Sequence, residues 1–496
     1  MGIVIKQSLI SSTIAYAGVI LGAVNTLFIL PAYLSFEQIG LYRAIIAIST
    51  ISFPFALVGL SSITLKYIPR YKENEELKHR FFQFLLFLLV PAFLIFLVLF
   101  KVAREPLFGF MAKESPEVAR YDFLIIVLVF INASTTLFDS FTRIHLNIVV
   151  VNIAREVVIK LMTGILVLLY AVDLLTFDQL LNSLILNYSA ALILLALYSV
   201  NKGHYKPSLK PFLIPVDFWK SIMPFGLISM LGSFSALIVS NVDILMVSAM
   251  LGLDKNGIYS TVMYMAIVIE IPRRILTQIA SPLVSHAFEK NDLKEVNNIY
   301  KKTSLNLLIG GALFYLGIIL NLDGILRLLP SGESLSAGKY VVILLGLGKL
   351  IDMGAGVNGE IVVLSKYYKF NLVSIAVLAA CTIGFNLLFI PVFDMNGAAI
   401  ATLVSLFLFN LSKFTFLFVK FKMQPFNLNT LKVIFITLAV YFIGSWLPVI
   451  EIAILDIILK SLFVLLIFGI LIYWSKASED VNQVIEKGLL KLKSYF

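Results

Sequence analysis

Fourteen apolar runs, most of them close to 20 residues long, follow one another along this chain of 496 residues, and that recurrence leaves little freedom of architecture. A helix rising 1.5 Å per residue crosses a hydrocarbon core roughly 30 Å thick with about 20 residues. The runs are 10–30, 39–60, 81–100, 123–141, 150–171, 180–200, 218–240 (continuing toward 251), 258–283, 305–320, 340–364, 372–390, 397–419, 433–447 and 452–473. No soluble domain fits between them. With 60% hydrophobic residues, 14% charged residues and a mean hydropathy of +0.97, the chain carries more apolar surface than a water-soluble core can absorb. The predicted class is an all-α integral membrane protein of about 14 transmembrane helices.

Loop charge sets the expected orientation, because short cytoplasmic loops are enriched in Lys and Arg. One alternate set of loops holds Lys66, Arg70, Lys72, Lys78 and Arg80, then Lys202, Lys206 and Lys210, then Lys290, Lys294, Lys301 and Lys302, then Lys366 and Lys369, then Lys420 and Lys422. Both termini belong to this set, as an even helix count requires. The loops at 173–178, 391–396 and 448–451 have neither Lys nor Arg; the loop with Lys101, Arg104 and Lys113 departs from the rule, diluted by Glu105, Glu114 and Glu117. The net charge of +10 sits in the cytoplasmic loops and in the tail, so anionic headgroups account for it and nucleic acid is not an expected partner. From Glu479 the tail sets Val481, Ile485, Leu489 and Leu492 at helical spacing, the pattern of a helix lying along the inner interface. The first run is too long for a signal peptide and ends in Pro31 without a small-residue cleavage site, so it is expected to stay.

Catalytic chemistry finds no foothold. Cys381 is alone and the four histidines, His79, His145, His204 and His286, are scattered, with no metal-ligand spacing. There is no phosphate loop and no nucleophile elbow. Neither enzyme activity nor a cofactor is expected.

An internal repeat carries more information. Ala32, Leu34, Gly40 and Tyr42 after the first run recur in register as Ala249, Leu251, Gly257 and Tyr259 after the seventh, with Glu37 opposite Asp254. Farther on, Pro54 faces Pro272 after a shift of one residue, and Glu73 with Glu76, Leu77 and Lys78 faces Glu289 with Asp292, Leu293 and Lys294. A repeat spaced by an even number of helices keeps its orientation, so its axis runs along the membrane normal. The expected organisation is two parallel six-helix lobes, 1–205 and 206–425, around a central cavity, then two C-terminal helices within 426–475 and a tail at 476–496. Such a layout suits a transporter whose cavity opens alternately to each side.

Three stretches resemble a known family: the Gly-x-Tyr turns; Asp352 to Glu360 leading into Ser365–Lys369; and the turn from Pro391 to Thr402, where Asp394 stands in place of a usual glycine. They are similar to the multidrug/oligosaccharidyl-lipid/polysaccharide exporter superfamily, and within it to bacterial polysaccharide or O-antigen flippases. The resemblance implies outward translocation of an undecaprenyl-pyrophosphate-linked oligosaccharide across the bacterial cytoplasmic membrane for surface polysaccharide synthesis. Membrane lipids, and a polysaccharide polymerase with other assembly proteins, would be its partners.

Such a cargo needs cations facing a wet cavity, and charges inside membrane helices usually point inward. Lys349 lies ten residues, roughly 15 Å, below Lys339 and so near mid-bilayer, with Asp352 one turn farther; an internal Lys349–Asp352 pair at i,i+3 is the plainer alternative. Arg273 and Arg274 follow Pro272, which can kink the helix, with Glu270 at i,i+3; an interfacial anchor competes with a cavity role. Lys160, one turn from Glu156, and Arg43 complete the candidate cations, while Arg143 and Arg155 read as interfacial. Asp352, Glu270 and Asp243 are candidates for ion coupling. Asn25, Asn241, Asn306, Asn386 and Asn410 read as helix-to-helix hydrogen-bonding residues. Among other functions, an ion-coupled multidrug exporter would call for acids deep in the lobes, where the first run has only Asn25 and Lys349 would repel a cationic drug. A membrane-embedded glycosyltransferase or polymerase would need a large catalytic loop, which the short loops do not supply.

Overall fold

The computed structural model describes residues 2–71, 73–207 and 216–493; the side chains of 2–9, Ser12, 216–218, Arg274, Ile275 and 488–493 lie outside the described residues. Every regular element described is helical, and twelve helices among the described residues are long and apolar enough to cross a membrane. In chain order the elements are α1 (Thr13–Tyr33), α2 (Phe36–Leu57), α3 (Glu75–Met111), α4 (Pro116–Ile144), α5 (148–171), α6 (Phe177–Asn201) and α7 (Trp219–Leu251). They continue with α8 (253–289), α9 (Leu293–Ile319), α10 (Gly332–Gly354), α11 (Tyr368–Phe393), α12 (Met395–Phe421), α13 (Leu428–Ser445), α14 (Ala453–Ser475) and α15 (Glu479–Lys493).

The two runs outside the twelve, α5 and α8, are each interrupted along their length. Carrying Arg155, Glu156 and Lys160, α5 widens into a π-helical turn over Ile153–Val158. α8 is broken at Glu270 into Leu253–Ile269 and Ile271–Glu289. Pro272 explains the break: lacking an N–H, it fits the first turn of a helix and not its middle. The Glu270 N–H donates to the Ile267 carbonyl and the Arg273 N–H to the Glu270 carbonyl, both at 3.1 Å, tightening the chain into a turn there.

Several helices outrun their apolar stretches. α3 continues to Met111, so Lys101 and Arg104 are helical and not in a loop, and Arg104 pairs with Asp122 at 2.9 Å. α9 begins at Leu293, twelve residues or so before its apolar run, behind an Asp292 cap that accepts from the Glu295 N–H at 3.0 Å. Hydropathy marks the part that suits lipid; capping and hydrogen bonding decide where the helix stops.

The chain packs as two compact units, Met1–Ser260 and Thr261–Phe496. Apolar transfer does not drive helices together in lipid, so close packing and hydrogen bonds must hold each unit. In the first, Ile39, Ile45, Phe81, Phe82, Leu128 and Phe141 form a fully buried centre, with Phe82 and Phe141 stacked at 3.8 Å. α7 belongs to this unit, with Phe234 edge-on to Phe55 of α2 at 4.5 Å. The two Gly-x-Tyr turns also meet here. A Cβ on Gly40 would overlap the Leu253 carbonyl, and one on Gly257 would overlap the Phe36 carbonyl. Phe36 and Leu253 are equivalent positions of the repeat, so the contact is the same in both directions, as a local two-fold axis requires. Asn256 Nδ2 donates to the Gly40 carbonyl at 2.9 Å and fixes the approach.

In the second unit Leu308, Ala312 and Leu316 of α9 pack with Val433 and Val440 of α13 and with Val464 and Phe468 of α14. Phe435, Trp446 and Trp474 stay exposed on the α13–α14 hairpin, as lipid-facing side chains would. The tail helix α15 is tied to α9: Ser478 Oγ donates to Asn306 Oδ1 at 2.6 Å, and Asn306 Nδ2 to Asp480 Oδ2 at 2.8 Å. Val481 packs into this core, while the side chains of Leu489 and Leu492 lie outside the described residues.

Candidate functional site

The break in α8 brings Glu270 and Arg273 alongside α10. Lys349 Nζ donates to Glu270 Oε2 at 2.6 Å, and Arg273 Nη1 donates to Asp352 Oδ2. Glu270 and Arg273 are three residues apart, as are Lys349 and Asp352, so the pairs stack as two rungs of opposite polarity between the helices. The sequence also allowed Lys349 to pair with Asp352 inside α10; the structure corrects this by crossing both pairs between helices. Lys349 and Glu270 keep 29% and 27% of their side-chain surface exposed, and Arg273 and Asp352 keep 17% and 13%. The first rung is therefore reachable and the second lies deeper. The side chain of Arg274 lies outside the described residues.

Asp352 has a second donor. Asn410 of α12 gives its Nδ2 to Asp352 Oδ1 at 2.9 Å and accepts from Asn358 Nδ2 at 2.9 Å. Asn410 thus acts as the helix-to-helix linker its residue type implied, and it also finishes the site. One turn farther along α12 is Lys413, 4% exposed, with its Nζ 4.0 Å from the centre of the Phe409 ring. Sequence reading passed it over. The available signal was that Lys413 is the lone charged residue of the apolar run 397–419.

Ion pairs in a poorly screened setting are strong only while both partners stay, and removing one leaves an uncompensated charge. A rung in which a cation is held by an exchangeable carboxylate can accept another anion in its place. What the second unit can do chemically is bind an oxyanion against Lys349 and Arg273 while Glu270 or Asp352 gives way.

The remaining candidates lie in the first unit with partners of their own. Lys160 Nζ donates to Glu156 Oε2 at 2.6 Å and to the Gly18 carbonyl of α1 at 2.9 Å. Gly18 lies so close that a Cβ there would press on Glu156. Asn25 Nδ2 donates to the Lys160 carbonyl at 2.6 Å, and Arg43 Nη2 to Thr26 Oγ1 at 2.8 Å. Arg43 and Lys160 therefore both engage the π-helical turn Val24–Ile29, a local widening often found at functional positions. Asp243 accepts from Tyr259 OH at 2.9 Å, tying it to the Gly-x-Tyr turn. Asp139 takes both Arg143, at 2.5 Å, and Arg155, at 2.8 Å.

A family model described as polysaccharide biosynthesis protein matches residues 4–288. Over 216 residues the chain is 22% identical to the capsular polysaccharide biosynthesis protein CapF of Staphylococcus aureus; the alignment covers 43% of this chain and 52% of that protein, so about half of the relative's length is spanned. Among solved structures, the chain is similar to the lipid II flippase MurJ in an inward closed conformation, with a TM-score of 0.71, 14% identity, and coverage of 94% of this chain and 99% of that one. It is also similar to an inward-facing multidrug resistance transporter of the MATE family in the MOP superfamily, with a TM-score of 0.66, 12% identity, and coverage of 84% and 98%. At such identities the structural likeness speaks for the fold.

Proposed function

We propose, from the premise that the chain belongs to the polysaccharide biosynthesis protein family, that it moves an undecaprenyl-pyrophosphate-linked oligosaccharide from the inner to the outer leaflet of a bacterial cytoplasmic membrane. The observation that carries the reading is the pair of crossed rungs: Lys349 and Arg273 are held within a membrane-spanning unit by acids that a pyrophosphate can replace. Charge in such a place is costly and is retained for function more often than for stability. α10 serves both ends of the cargo. Leu350 and Ile351, between the two rung residues, line an apolar groove of about 680 Å³ with Leu308, Tyr315, Ile434 and Tyr441, a surface of the right chemistry for a polyprenyl chain. Both termini lie on the cytoplasmic side in this reading, and transport proceeds by alternating access.

Outward movement of a pyrophosphate lipid carries negative charge away from a negative interior, which is favourable by about 2.3 kcal/mol per charge per 100 mV. Membrane potential alone can then drive export. The test is reconstitution in oriented proteoliposomes with lipid-linked oligosaccharides and a leaflet-specific probe, imposing an interior-negative potential with a potassium gradient and valinomycin. Faster appearance of cargo in the outer leaflet is expected. A rate that ignores voltage and follows a proton or sodium gradient would replace this drive with antiport, and no movement of any lipid-linked oligosaccharide would remove the reading itself.

A further inference from the structure

Lys413 is a buried cation whose surroundings supply little to hold its charge. No hydrogen-bond acceptor or ion-pair partner engages its ammonium among the described residues; the contact it has is the Phe409 ring. Its charged neighbours are Arg273, of like sign, and Glu360, whose Oε2 is itself buried without a hydrogen bond. The Nζ lies 3.1 Å from where a Cβ on Gly359 would stand, at the first turn of the short helix Asn358–Leu364. A cation–π contact is a weaker partner for an ammonium than a charge-assisted hydrogen bond. The balance favours an added acceptor.

The neighbouring geometry indicates which acceptor. Asp352 already serves as a resident anion, taking Arg273 on one oxygen and Asn410 on the other. Lys413 lies one turn beyond Asn410 on the same helix and has Arg273 among its charged neighbours, so it sits beside both donors that Asp352 now occupies. We propose that Arg273, Asn410 and Lys413 form a three-donor site for a phosphoryl group, with Lys413 the contact that a carboxylate leaves empty and a phosphate fills. Charge-assisted bonds to phosphate oxygens form at about 2.7–2.9 Å and favour such a site. The inference deepens the flippase reading and rests on it: it places one phosphoryl of the cargo's pyrophosphate at Lys413 once Asp352 has left Arg273.

The experiment measures binding of a short-chain isoprenyl-pyrophosphoryl sugar, and of the matching isoprenyl glycoside without phosphate, to the full chain in nanodiscs. Lys413→Gln should weaken the pyrophosphate probe about tenfold and leave the neutral glycoside unchanged, while Lys413→Arg restores most of the loss. In the unsubstituted protein, the pyrophosphate probe should also protect Lys413 from an amine-reactive reagent, which keeps the test decisive if a variant fails to fold. Equal losses for both probes, or no protection, would overturn the site. Weakened binding in Arg273→Gln with none in Lys413→Gln would overturn the role of Lys413 and leave the flippase reading intact. An unsubstituted protein that binds no pyrophosphate probe would overturn both.

Discussion

Lys160 and Lys349 each meet a glutamate at 2.6 Å, yet they stand in different situations. The acid of Lys160 is four residues away on the same helix, and its second acceptor is a backbone carbonyl of α1. The acid of Lys349 is 79 residues away, across the break in α8, while Asp352 on its own helix is taken by Arg273. A pair within one helix survives any movement of that helix as a body. A pair between two helices opens when they shift, so the rungs can register a change in packing or the arrival of an anion. By this criterion the Lys160 pair is fixed within its helix, and the proposed site at Lys349 is the one that can open.

The comparison predicts its largest effect for matched alanine substitutions. Lys349→Ala should lower cargo translocation per folded molecule about tenfold or more, equivalent to about 1.4 kcal/mol, on top of whatever stability the unpaired Glu270 costs. Lys160→Ala should act the other way round, destabilising the protein by about 1–3 kcal/mol because Glu156 and the Gly18 carbonyl lose their donor, with a smaller change in transport per folded molecule. Transport assays normalised to folded protein, together with thermal melts, separate the two. A Lys160→Ala protein of normal stability that transports as poorly as Lys349→Ala would erase the contrast.

A smaller effect is expected from freeing a cation. Asp352→Asn keeps an oxygen for Asn410 and removes the charge opposite Arg273. Affinity for a pyrophosphate lipid should rise severalfold because no resident anion has to leave, and turnover should fall because release is harder. The counterpart in the first unit is Asp139→Asn, which strips Arg143 and Arg155 of a shared acid; there the expected outcome is lost stability with no gain in affinity. Binding isotherms on both variants settle the matter, and tighter binding in Asp139→Asn would count against the assignment of exchangeable charge to the second unit.

The parts of this arrangement that were legible in the sequence are those set by local spacing. Apolar length located the spans, and the exceptions, α5 and α8, are interrupted by a π-helical turn and by the break at Glu270. Pro272 announced the break in α8, and the repeated Gly-x-Tyr turns announced two elements that meet reciprocally at Gly40 and Gly257. The Glu156–Lys160 pair could be read at i,i+4. Pairing between helices could not. Glu270 and Arg273, like Lys349 and Asp352, lie at i,i+3, and local rules favour joining them within their own helices; the turn at Glu270 reverses that choice. Lys413 was missed for a related reason, since a single Lys in an apolar run gains its meaning from Arg273 and Asn410, which arrive from elsewhere in the sequence or one turn along the helix.

The smallest expected effect is a dependence on acidity confined to the first unit. Three of the four histidines belong to that unit, and two of them stack: the His145 and His204 rings lie 4.1 Å apart and 22° from parallel, with Asn147 Nδ2 3.2 Å from His204 Nε2. In the second unit His286 is exposed, with Glu289 of the same helix 3.8 Å away. Burial lowers the His204 pKa below the ordinary 6.5; nearby His145, Lys202 and His79 lower it further, and Glu75 opposes them. The folded protein therefore favours the neutral ring. A histidine depressed in this way contributes stability that is fully present above its unfolded pKa of about 6.5 and is lost as pH falls through the lower folded value. Protonation would set a charge against the His145 ring and loosen residues 202–206, whose backbone is anchored by the Tyr205 N–H to the Ser199 carbonyl at 2.9 Å. Protection factors at the amides of Gly203 and Tyr205, corrected for the intrinsic exchange rate, should fall on acidification below the ordinary histidine pKa, while amides around the rungs of the second unit keep theirs. His204→Phe retains a ring for stacking and removes the titrating nitrogen, so exchange in this segment should lose its acid response. If it keeps that response, another group governs the segment and the pH contrast between the units falls.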